Sequence, residues 1–367
     1  MMIKKYNFLV VTFFRVTDPY SGSSEVSFNF FKNIPSKKKK LFKYSNNNKK
    51  YKDVVSIKIK NTKIGKILNL KKLSDSIIDY CLNKKNIIIV IEGASWVGYS
   101  FILYQLLNIK LKNIKFIYHS HNIEYLLRKK KENLIICVLT KFFENFIAKK
   151  FDLFTVVSKD DQMKFKKLYN IYPTLLSNGA QLPMKVEKIK SKKFYFKYIF
   201  FCGSIEYLPN LDALKILVKD IMPLVIAKNP KIKLIVSGNR YLPFKEKFLI
   251  NVGFVSKMNF YKYLSGSSLF VNPIRTGFGS QIKTINALAF GKTIIASKLA
   301  VNGIDINNKF KNLYITNNKN EFANLILKKI NSNRINKLSK DYYSKKYLMK
   351  NVVKNFFLSK KLSNVLK

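Results

Sequence analysis

The sequence predicts an α/β protein with two parallel-sheet domains, and three observations carry that prediction. Short β-branched runs alternate with helical patterns, which is the pattern of βαβ units. The alternation stops near Asn178 and then starts again. The length of 367 residues and the apolar content of 47% allow two ordinary domains with a core in each.

The first series of elements lies before residue 178. Five runs rich in Val, Ile, Leu and Phe predict strands at Phe8–Thr12, Val54–Ile59, Ile87–Glu92, Lys115–Ser120 and Leu153–Ser158. Helical spacing between them predicts helices at Leu73–Leu82, Tyr99–Leu107 and Asn133–Lys149. The lysine- and asparagine-rich segment Phe31–Asp53 is expected to be a loose surface excursion.

A linker and a second series follow. Leu175–Pro183 contains Asn-Gly and Pro, and the charged stretch Lys185–Lys193 comes after it. Strands are then predicted at Tyr198–Gly203, Lys233–Gly238, Val252–Val255, Ser268–Pro273, Thr293–Ser297 and Leu313–Thr316. Asn210–Lys228 predicts one strongly periodic helix, and the chain from Lys319 onwards predicts helices only. The predicted domains are 1–183 and 184–343, with a C-terminal helix, 344–367, that packs back on the first domain.

The formal net charge of +49 raises the question of which anionic partners the protein binds. The only arginines are Arg15, Arg128, Arg240, Arg275 and Arg334, and lysines spread along the whole chain supply the rest of the positive charge. Because arginine is the preferred residue for bidentate recognition of phosphates and bases, specific nucleic-acid binding is disfavoured. Solvated lysine faces are expected, with docking on an anionic membrane surface as the alternative use of the charge.

The termini and cysteines point to an intracellular, reducing environment. No apolar run reaches the roughly 18 residues that a membrane span needs. Met1–Thr12 lacks a small-residue cleavage site and predicts a buried first strand rather than a signal peptide. Cys81, Cys137 and Cys202 have no paired spacing. The expected localisation is cytoplasmic, with peripheral attachment at the inner face of the membrane as an extension of the charge argument.

The segment Asn272–Ser297, "NPIRTGFGSQIKTINALAFGKTIIAS", contains the candidate ligand-binding residues. It is not a dinucleotide fingerprint, since the third glycine is replaced, and its "FGKT" follows a helical pattern rather than a phosphate loop. Gly277 and Gly279 let the backbone approach a ligand, and the next helix start adds an anion site. Lys283 adds a full charge, and Asn286 lies one helical turn further on the same face. The alternative is an ordinary glycine turn with a surface lysine.

These residues, in their order, resemble the family 4 glycosyltransferases of the bacterial glycosyl transferases group 1 type. Gly277–Ile304 is similar to their donor-site signature, and Phe201–Pro223 to the opening of their second domain. Tyr118–Lys130 resembles a strand end that bears a histidine, and Phe151–Phe165 the element that closes the first domain. "SGSS" at Ser21–Ser24 stands where the family has a glycine-rich loop. The resemblance covers nearly the whole chain.

The resemblance implies the GT-B fold, in which two Rossmann-like domains face each other across a cleft and C-terminal helices cross back. It implies transfer of a sugar from a nucleotide-diphosphate donor to a saccharide or lipid-linked acceptor, with retention at the anomeric carbon. It also implies no metal and no cofactor besides the nucleotide-sugar co-substrate. The absence of Asp-x-Asp, and of metal-ligand spacing around the only two histidines, agrees with that. Basic residues would then stabilise the leaving diphosphate.

The family's site roles carry over by motif position. Lys283 would hold the diphosphate, with Arg275 beside it. Gly277, Phe278 and Gly279 would form the loop near the donor sugar.

Three further residues complete the assignment. Gly22 would lie near the transferred group, and Asn286 stands where the family has the glutamate that holds the ribose hydroxyls. His121 would face the transferred sugar as the catalytic residue. Glu124, three residues later, would orient His121 or, as the preferred interpretation, cap a helix start.

Two departures from the family pattern weaken the donor site. An amide at Asn286 offers one acceptor and no charge, which costs roughly 1–2 kcal/mol of donor binding. Ser204–Pro209 reads "SIEYLP", where many relatives have an arginine and a lysine. The predicted function is a glycosyltransferase for a surface polysaccharide, lipopolysaccharide or glycolipid. The alternative is a non-catalytic GT-B protein that binds a nucleotide-sugar or a partner glycosyltransferase. An epimerase is disfavoured because acidic residues are few.

Overall fold

The computed structural model describes residues 2–17, 22–45, 51–59, 62–129, 132–182, 189–192, 194–277, 280–331 and 335–366. The chain divides into two compact units. The first unit comprises Met1–Asn178 together with Met349–Lys367, and the second unit is Gly179–Leu348. No helix among the described residues combines the length and the apolar character that a membrane crossing requires.

The first unit is built on a parallel sheet of seven strands in the order β3-β2-β1-β4-β5-β6-β7. The strands are β1 Asn7–Thr12, β2 Lys39–Ser45, β3 Val54–Lys58, β4 Ile87–Gly93, β5 Ile114–Ser120, β6 Leu153–Val156 and β7 Thr174–Leu175. β1 and β4 are almost wholly buried. Such continuous apolar runs are what a parallel sheet with both faces covered requires.

Helices cover this sheet. In chain order they are α1 Gly22–Asn33, α2 Lys63–Leu68, α3 Leu70–Cys81, α4 Val97–Lys110, α5 Glu124–Arg128, α6 Leu134–Lys150 and α7 Lys159–Tyr169, joined at the end of the chain by α14 Met349–Phe357 and α15 Lys360–Val365. The α14 helix packs on α1 and β1: the Phe357 ring lies 5.2 Å from that of Phe8, and the Phe356 ring 6.5 Å from that of Phe30.

The structure confirms the five strands and three helices predicted in this half, but the prediction for Phe31–Asp53 is wrong. That segment contains β2, which lies between β1 and β3. Leu41, Phe42 and Tyr44 are all buried. The lysine content hid a short strand whose apolar residues pack into the core.

The second unit has six parallel strands in the order β10-β9-β8-β11-β12-β13. They are β8 Tyr198–Cys202, β9 Lys233–Ser237, β10 Leu249–Asn251, β11 Leu269–Asn272, β12 Ile294–Ala296 and β13 Leu313–Ile315. Its α-helices are α8 Leu208–Lys215, α9 Met222–Lys228, α10 Lys257–Gly266, α11 Ile282–Ala289, α12 Lys319–Lys329 and α13 Lys337–Tyr347.

Two details of this unit differ from the sequence prediction. The helix predicted over Asn210–Lys228 contains a π-helical segment, Ile216–Ile221, between α8 and α9. The strand predicted at Val252–Val255 is wrong, because β10 ends at Asn251. Gly253 follows with a φ of +68°, a left-handed conformation that breaks an extended strand.

Both sheets have the same switch in strand order. The chain builds the sheet outwards from β1 to β3 and then restarts at β4 on the other side of β1. In the second unit the corresponding neighbours are β8 and β11. In open parallel sheets, ligands bind beyond the carboxyl ends of the strands at such a switch. The residues that follow β8 and β11, and those that follow β1 and β4, are therefore where function is expected.

Candidate functional site

Lys283 lies at the switch in the second unit. It belongs to the first turn of α11, and its Nζ donates to the Asn210 Oδ1 atom at 2.6 Å and to the Cys202 carbonyl oxygen at 3.0 Å. Cys202 is the last residue of β8, and Asn210 lies in the first turn of α8. The Nζ atom also stands 4.8 Å from the centre of the Phe201 ring. The side chain is thus held at the carboxyl end of β8.

The charge on Lys283 has no counter-charge among the described residues. Both hydrogen-bond acceptors of Nζ are neutral oxygens, and no carboxylate of the described residues forms an ion pair with it. Burial lowers the pKa of Lys283 to about 8. An ammonium group has three N–H donors, and the two contacts above use two of them. A partly desolvated cation with a spare donor can bind an anion.

Two glycines shape the backbone around this lysine. Gly203 directly follows β8 with a φ of +154°, and a Cβ there would stand 2.7 Å from the Asn210 side chain. Gly277 has a φ of +116°, where a Cβ would stand 2.9 Å from the Tyr207 hydroxyl. Residues other than glycine rarely adopt such positive φ angles. Gly203 therefore lets Asn210 pack against the end of the strand that Lys283 also contacts.

Asn286 lies one turn after Lys283 on α11 and is buried, with 5% of its surface exposed. Its Oδ1 atom has no hydrogen-bond partner among the residues that the structure describes. A buried acceptor without a donor costs roughly 1–3 kcal/mol, so a native protein rarely keeps one without a reason. A hydroxyl group of a ligand would satisfy this oxygen.

The other residues assigned to the donor site lie as follows. Arg275 is exposed, and its guanidinium donates to the Asn317 carbonyl oxygen rather than to any atom around Lys283. Phe278 and Gly279 lie outside the described residues. Gly22 is the first residue of α1, in the first unit, and is exposed.

The switch in the first unit holds a closed polar cluster around Glu92. This residue lies near the end of β4 and is fully buried. Its Oε2 atom accepts from the His121 Nε2 atom at 2.7 Å and from the Ser27 hydroxyl at 2.7 Å. Its Oε1 atom accepts from the His119 Nδ1 atom at 3.2 Å. His121 is therefore fixed by a carboxylate that the motif did not reveal.

Burial and hydrogen bonding set the charges of this cluster. Burial alone would raise the pKa of Glu92, but the two histidines outweigh it and hold that pKa below its usual range. Burial lowers the pKa of His121, although its bond to Glu92 opposes this. An ionised carboxylate only accepts, so both histidines donate to it. His121 therefore carries its proton on Nε2, which leaves Nδ1 as the acceptor of the ring.

Glu92, His119 and His121 are the one group of three metal-ligating side chains found within the described part of the chain, and their ligand atoms lie within 4.8 Å of one another. Two imidazoles and a carboxylate suit zinc or iron. A metal-bound histidine ordinarily donates its second N–H to a partner, yet the buried His119 Nε2 atom has none. The arrangement therefore fits a hydrogen-bonded cluster better than a metal centre.

Glu124 takes neither of the roles considered for it. Its carboxylate pairs with the Arg128 guanidinium at 3.1 Å, one turn along α5. The start of α5 is instead capped by Glu144 of α6, whose Oε1 atom accepts from the Glu124 backbone N–H at 2.7 Å. Burial raises the pKa of Glu124 to about 7 and that of Glu144 to about 8.

Comparison with known proteins shows a similarity within the second unit. Residues 196–332 match the family model for glycosyl transferases group 1. This part of the chain is similar to group 1 glycosyltransferases. The matched range contains Asn286 as well as Lys283 and Asn210, which meet at the β8–β11 switch.

Solved structures share the fold of the whole chain. The sucrose-phosphate synthase of Thermosynechococcus elongatus is 11% identical, with a TM-score of 0.74 over 98% of this chain and 100% of that one. The Anabaena HepE protein in complex with UDP is 12% identical, with a TM-score of 0.65 over 98% and 100%. A glycosyltransferase of Rickettsia africae is 17% identical, with a TM-score of 0.66 over 99% of each chain. The predicted GT-B fold of two Rossmann-like parallel-sheet domains is confirmed.

One curated relative is also similar. It is an uncharacterized 44.6 kDa protein in the cps region of Klebsiella pneumoniae, 25% identical over 232 residues. The match covers 56% of this chain and 56% of the length of that relative.

Proposed function

We propose that the chain is a glycosyltransferase that transfers a sugar from a nucleotide-diphosphate-sugar to a saccharide or lipid-linked acceptor. One observation carries this proposal: the Lys283 ammonium is held at the β8–β11 switch by neutral oxygens only. A diphosphate supplies the counter-charge that the protein does not. The family of the domain and the unpartnered Asn286 oxygen, which fits a ribose hydroxyl, support the same ligand.

In this proposal the lysine acts mainly in the bond-breaking step. When the bond between the anomeric carbon and the diphosphate breaks, negative charge develops on the leaving phosphate oxygen. Lys283 would donate a hydrogen bond to that oxygen, and such electrostatic stabilisation is often the largest single contribution to catalysis. We propose that the reaction therefore needs no metal ion. Retention of the configuration of the sugar is proposed from the family resemblance alone.

His121 is the proposed catalytic residue of the first unit. Glu92 fixes the orientation and tautomer of its ring, so the free Nδ1 atom can accept a hydrogen bond from a sugar hydroxyl. Glu92 itself is then a positioning residue, since it acts through His121.

The proposed product is a surface polysaccharide, lipopolysaccharide or glycolipid. The relative in the cps region supports a polysaccharide role, and UDP, which the Anabaena protein binds, is the first nucleotide to test. The proposed location is cytoplasmic, with the protein attached peripherally to the anionic inner face of the membrane. The net charge of +49 supports this last part.

The test is a thermal-shift screen of UDP, GDP, ADP and TDP and their sugar conjugates. We expect one nucleotide to stabilise the wild-type protein, and Lys283→Ala to lose that stabilisation. Lys215→Ala removes an exposed lysine of α8 and is the matched control. No stabilisation by any nucleotide at millimolar concentration would refute the donor site. Turnover that survives EDTA treatment and is not raised by added divalent ions would support the metal-independent reaction.

Asn286 favours a second candidate, a non-catalytic protein that binds a nucleotide-sugar or a partner glycosyltransferase. The amide stands where the family has a glutamate, and an uncharged residue binds the ribose more weakly. If the natural protein shows no sugar transfer while Asn286→Glu does, the non-catalytic candidate is correct.

A further inference from the structure

The α6 helix of the first unit presents its apolar side to solvent. Five large apolar side chains of its first nine residues are exposed: Leu134 by 79%, Ile135 by 70%, Val138 by 58%, Leu139 by 39% and Phe142 by 57%. The buried residues of the helix are Cys137, Thr140, Glu144, Ile147 and Ala148, and Phe143 and Phe146 pack partly buried against the core. A helix at the surface of a globular protein ordinarily keeps its large apolar side chains on the buried side and exposes polar ones.

Hydrogen bonds fix this orientation of α6. The Trp96 indole N–H donates to the Thr140 hydroxyl at 2.9 Å, and the Tyr169 hydroxyl donates to Glu144 at 2.6 Å. Glu144 also caps α5 through the Glu124 backbone N–H. Turning the helix to bury its apolar side would break all three contacts and leave buried polar groups unpaired. The outward apolar side is therefore built into the fold.

The α2 helix, which one ion pair links to the chain just before α6, also exposes apolar side chains. The α2 helix has no buried residue, and Ile64, Ile67 and Leu68 are exposed by 69%, 42% and 74%. The Nζ atom of Lys63, the first residue of α2, lies 3.0 Å from the Oε1 atom of Glu132, which precedes α6. We call the exposed apolar side chains of α2 and α6 the apolar surface.

The charges next to the apolar surface are positive. Lys141, Lys149 and Lys150 are exposed on α6. The one carboxylate of α6, Glu144, is buried, and Glu132 is paired with Lys63 and Arg128. The exposed side of α6 therefore combines large apolar side chains with lysines that form no ion pair with any carboxylate of the described residues, which is the composition of a helix that lies in a membrane interface.

We propose that the apolar surface, with the lysines of α6, is the part of the protein that contacts an anionic lipid bilayer. The proposal rests on the peripheral membrane attachment proposed above and names the residues that perform it. The apolar side chains enter the headgroup region, and the lysines pair with anionic headgroups. A second copy of the chain fits less well, because two chains that each carry a formal charge of +49 repel each other.

The experiment is co-sedimentation of the full chain with phosphatidylcholine vesicles that contain or lack phosphatidylglycerol. The first variant carries Ile135→Ser and Phe142→Ser. The matched control carries Leu82→Ser and Met163→Ser, two side chains of the same unit that are exposed by 68% and 57% away from the apolar surface. Since all four side chains are exposed, these changes should alter folding little, and thermal unfolding checks this.

We expect the wild-type protein and the control to bind the vesicles with phosphatidylglycerol. The first variant should bind at least about ten-fold more weakly, because each apolar side chain that leaves water contributes a several-fold factor. A second variant, Lys141→Gln with Lys149→Gln, should lose roughly five-fold per lysine, and only on the anionic vesicles.

Three other outcomes would overturn the proposal, each in a different way. If the wild-type protein binds no vesicle, both the membrane attachment and the assigned surface are wrong, while the donor site is unaffected. If all variants bind as the wild type does, the membrane attachment stands and the surface assignment is wrong. A concentration-dependent dimer in light scattering that the Ile135→Ser, Phe142→Ser variant loses would assign the surface to a second copy.

Discussion

The low pKa of Lys283 predicts that nucleotide binding depends on pH in a way that one substitution removes. Binding of a diphosphate requires the charged lysine, and burial lowers its pKa in the ligand-free protein to about 8. About nine-tenths of the lysine is charged at pH 7 and about one-tenth at pH 9. The dissociation constant for UDP should therefore rise about ten-fold between pH 7 and pH 9.

Two variants separate the charge of the lysine from its shape. The arginine in Lys283→Arg has a pKa above 12 and stays charged. The affinity of this variant for UDP should therefore not change between pH 7 and pH 9. Lys283→Met removes a charged hydrogen bond worth roughly 1.5–3 kcal/mol, which predicts about 10- to 150-fold weaker binding at pH 7. The ligand contributes little, because a terminal phosphate with a pKa of about 6 is already fully ionised above pH 7.

Isothermal titration calorimetry measures both the affinity and the protons exchanged. At pH 8, in buffers of different ionisation enthalpy, binding of UDP should take up about half a proton with the wild-type protein and none with Lys283→Arg. A flat affinity profile for the wild type would refute the reasoning. An equal rise in the dissociation constant for Lys283→Arg would also refute it, since another group would then be titrating.

Three further predictions follow from neighbouring residues. Asn286→Glu should tighten UDP binding about ten-fold, because a carboxylate accepts from ribose hydroxyls with charge assistance; unchanged affinity in calorimetry would contradict the ribose contact. Glu92→Gln should lower kcat by up to about 100-fold and move the acid limb of the pH profile to lower pH, because the carboxylate raises the pKa of His121; a loss of kcat without that movement would mean a purely structural role. Burial lowers the pKa of Lys292 to about 7 in the folded protein, whereas the lysine of the unfolded chain has a pKa of 10.5. Between these two values only the unfolded state carries the charge, so the free energy of unfolding rises with pH. In urea unfolding, the stability of Lys292→Met relative to wild type should fall by on the order of 1.4 kcal/mol per pH unit between pH 7 and 10, and a constant difference would count against this.

The strands were predicted correctly where continuous apolar runs in the sequence are also buried in the fold. This is the case for β1, β4 and β5. The β2 strand was missed because its three buried apolar residues are mixed with lysines, and one of these, Lys43, is itself buried. Composition averages over a segment, whereas burial is decided residue by residue.

The site was predictable only where its chemistry lies within one motif. Lys283 and Asn286 share a helix, so their spacing was visible in the sequence. Asn210 meets Lys283 only because β8 and β11 are neighbours, 73 residues apart in the chain at that contact. Glu92 meets His119 because β4 and β5 pair in that register. A carboxylate at the end of an otherwise apolar strand was the one signal available for Glu92.

The hydrogen bonds of Lys283 to Cys202 and Asn210 have a consequence for the ligand-free protein. A free lysine side chain loses up to roughly 2 kcal/mol of rotamer entropy when it is immobilised, and here folding has already ordered it before any ligand arrives. The ordered side chain and the desolvated charge both lower the free energy of unfolding of the ligand-free protein. Under the proposed function, binding of the nucleotide-sugar returns this lost stability, because a ligand that binds only the folded state stabilises it.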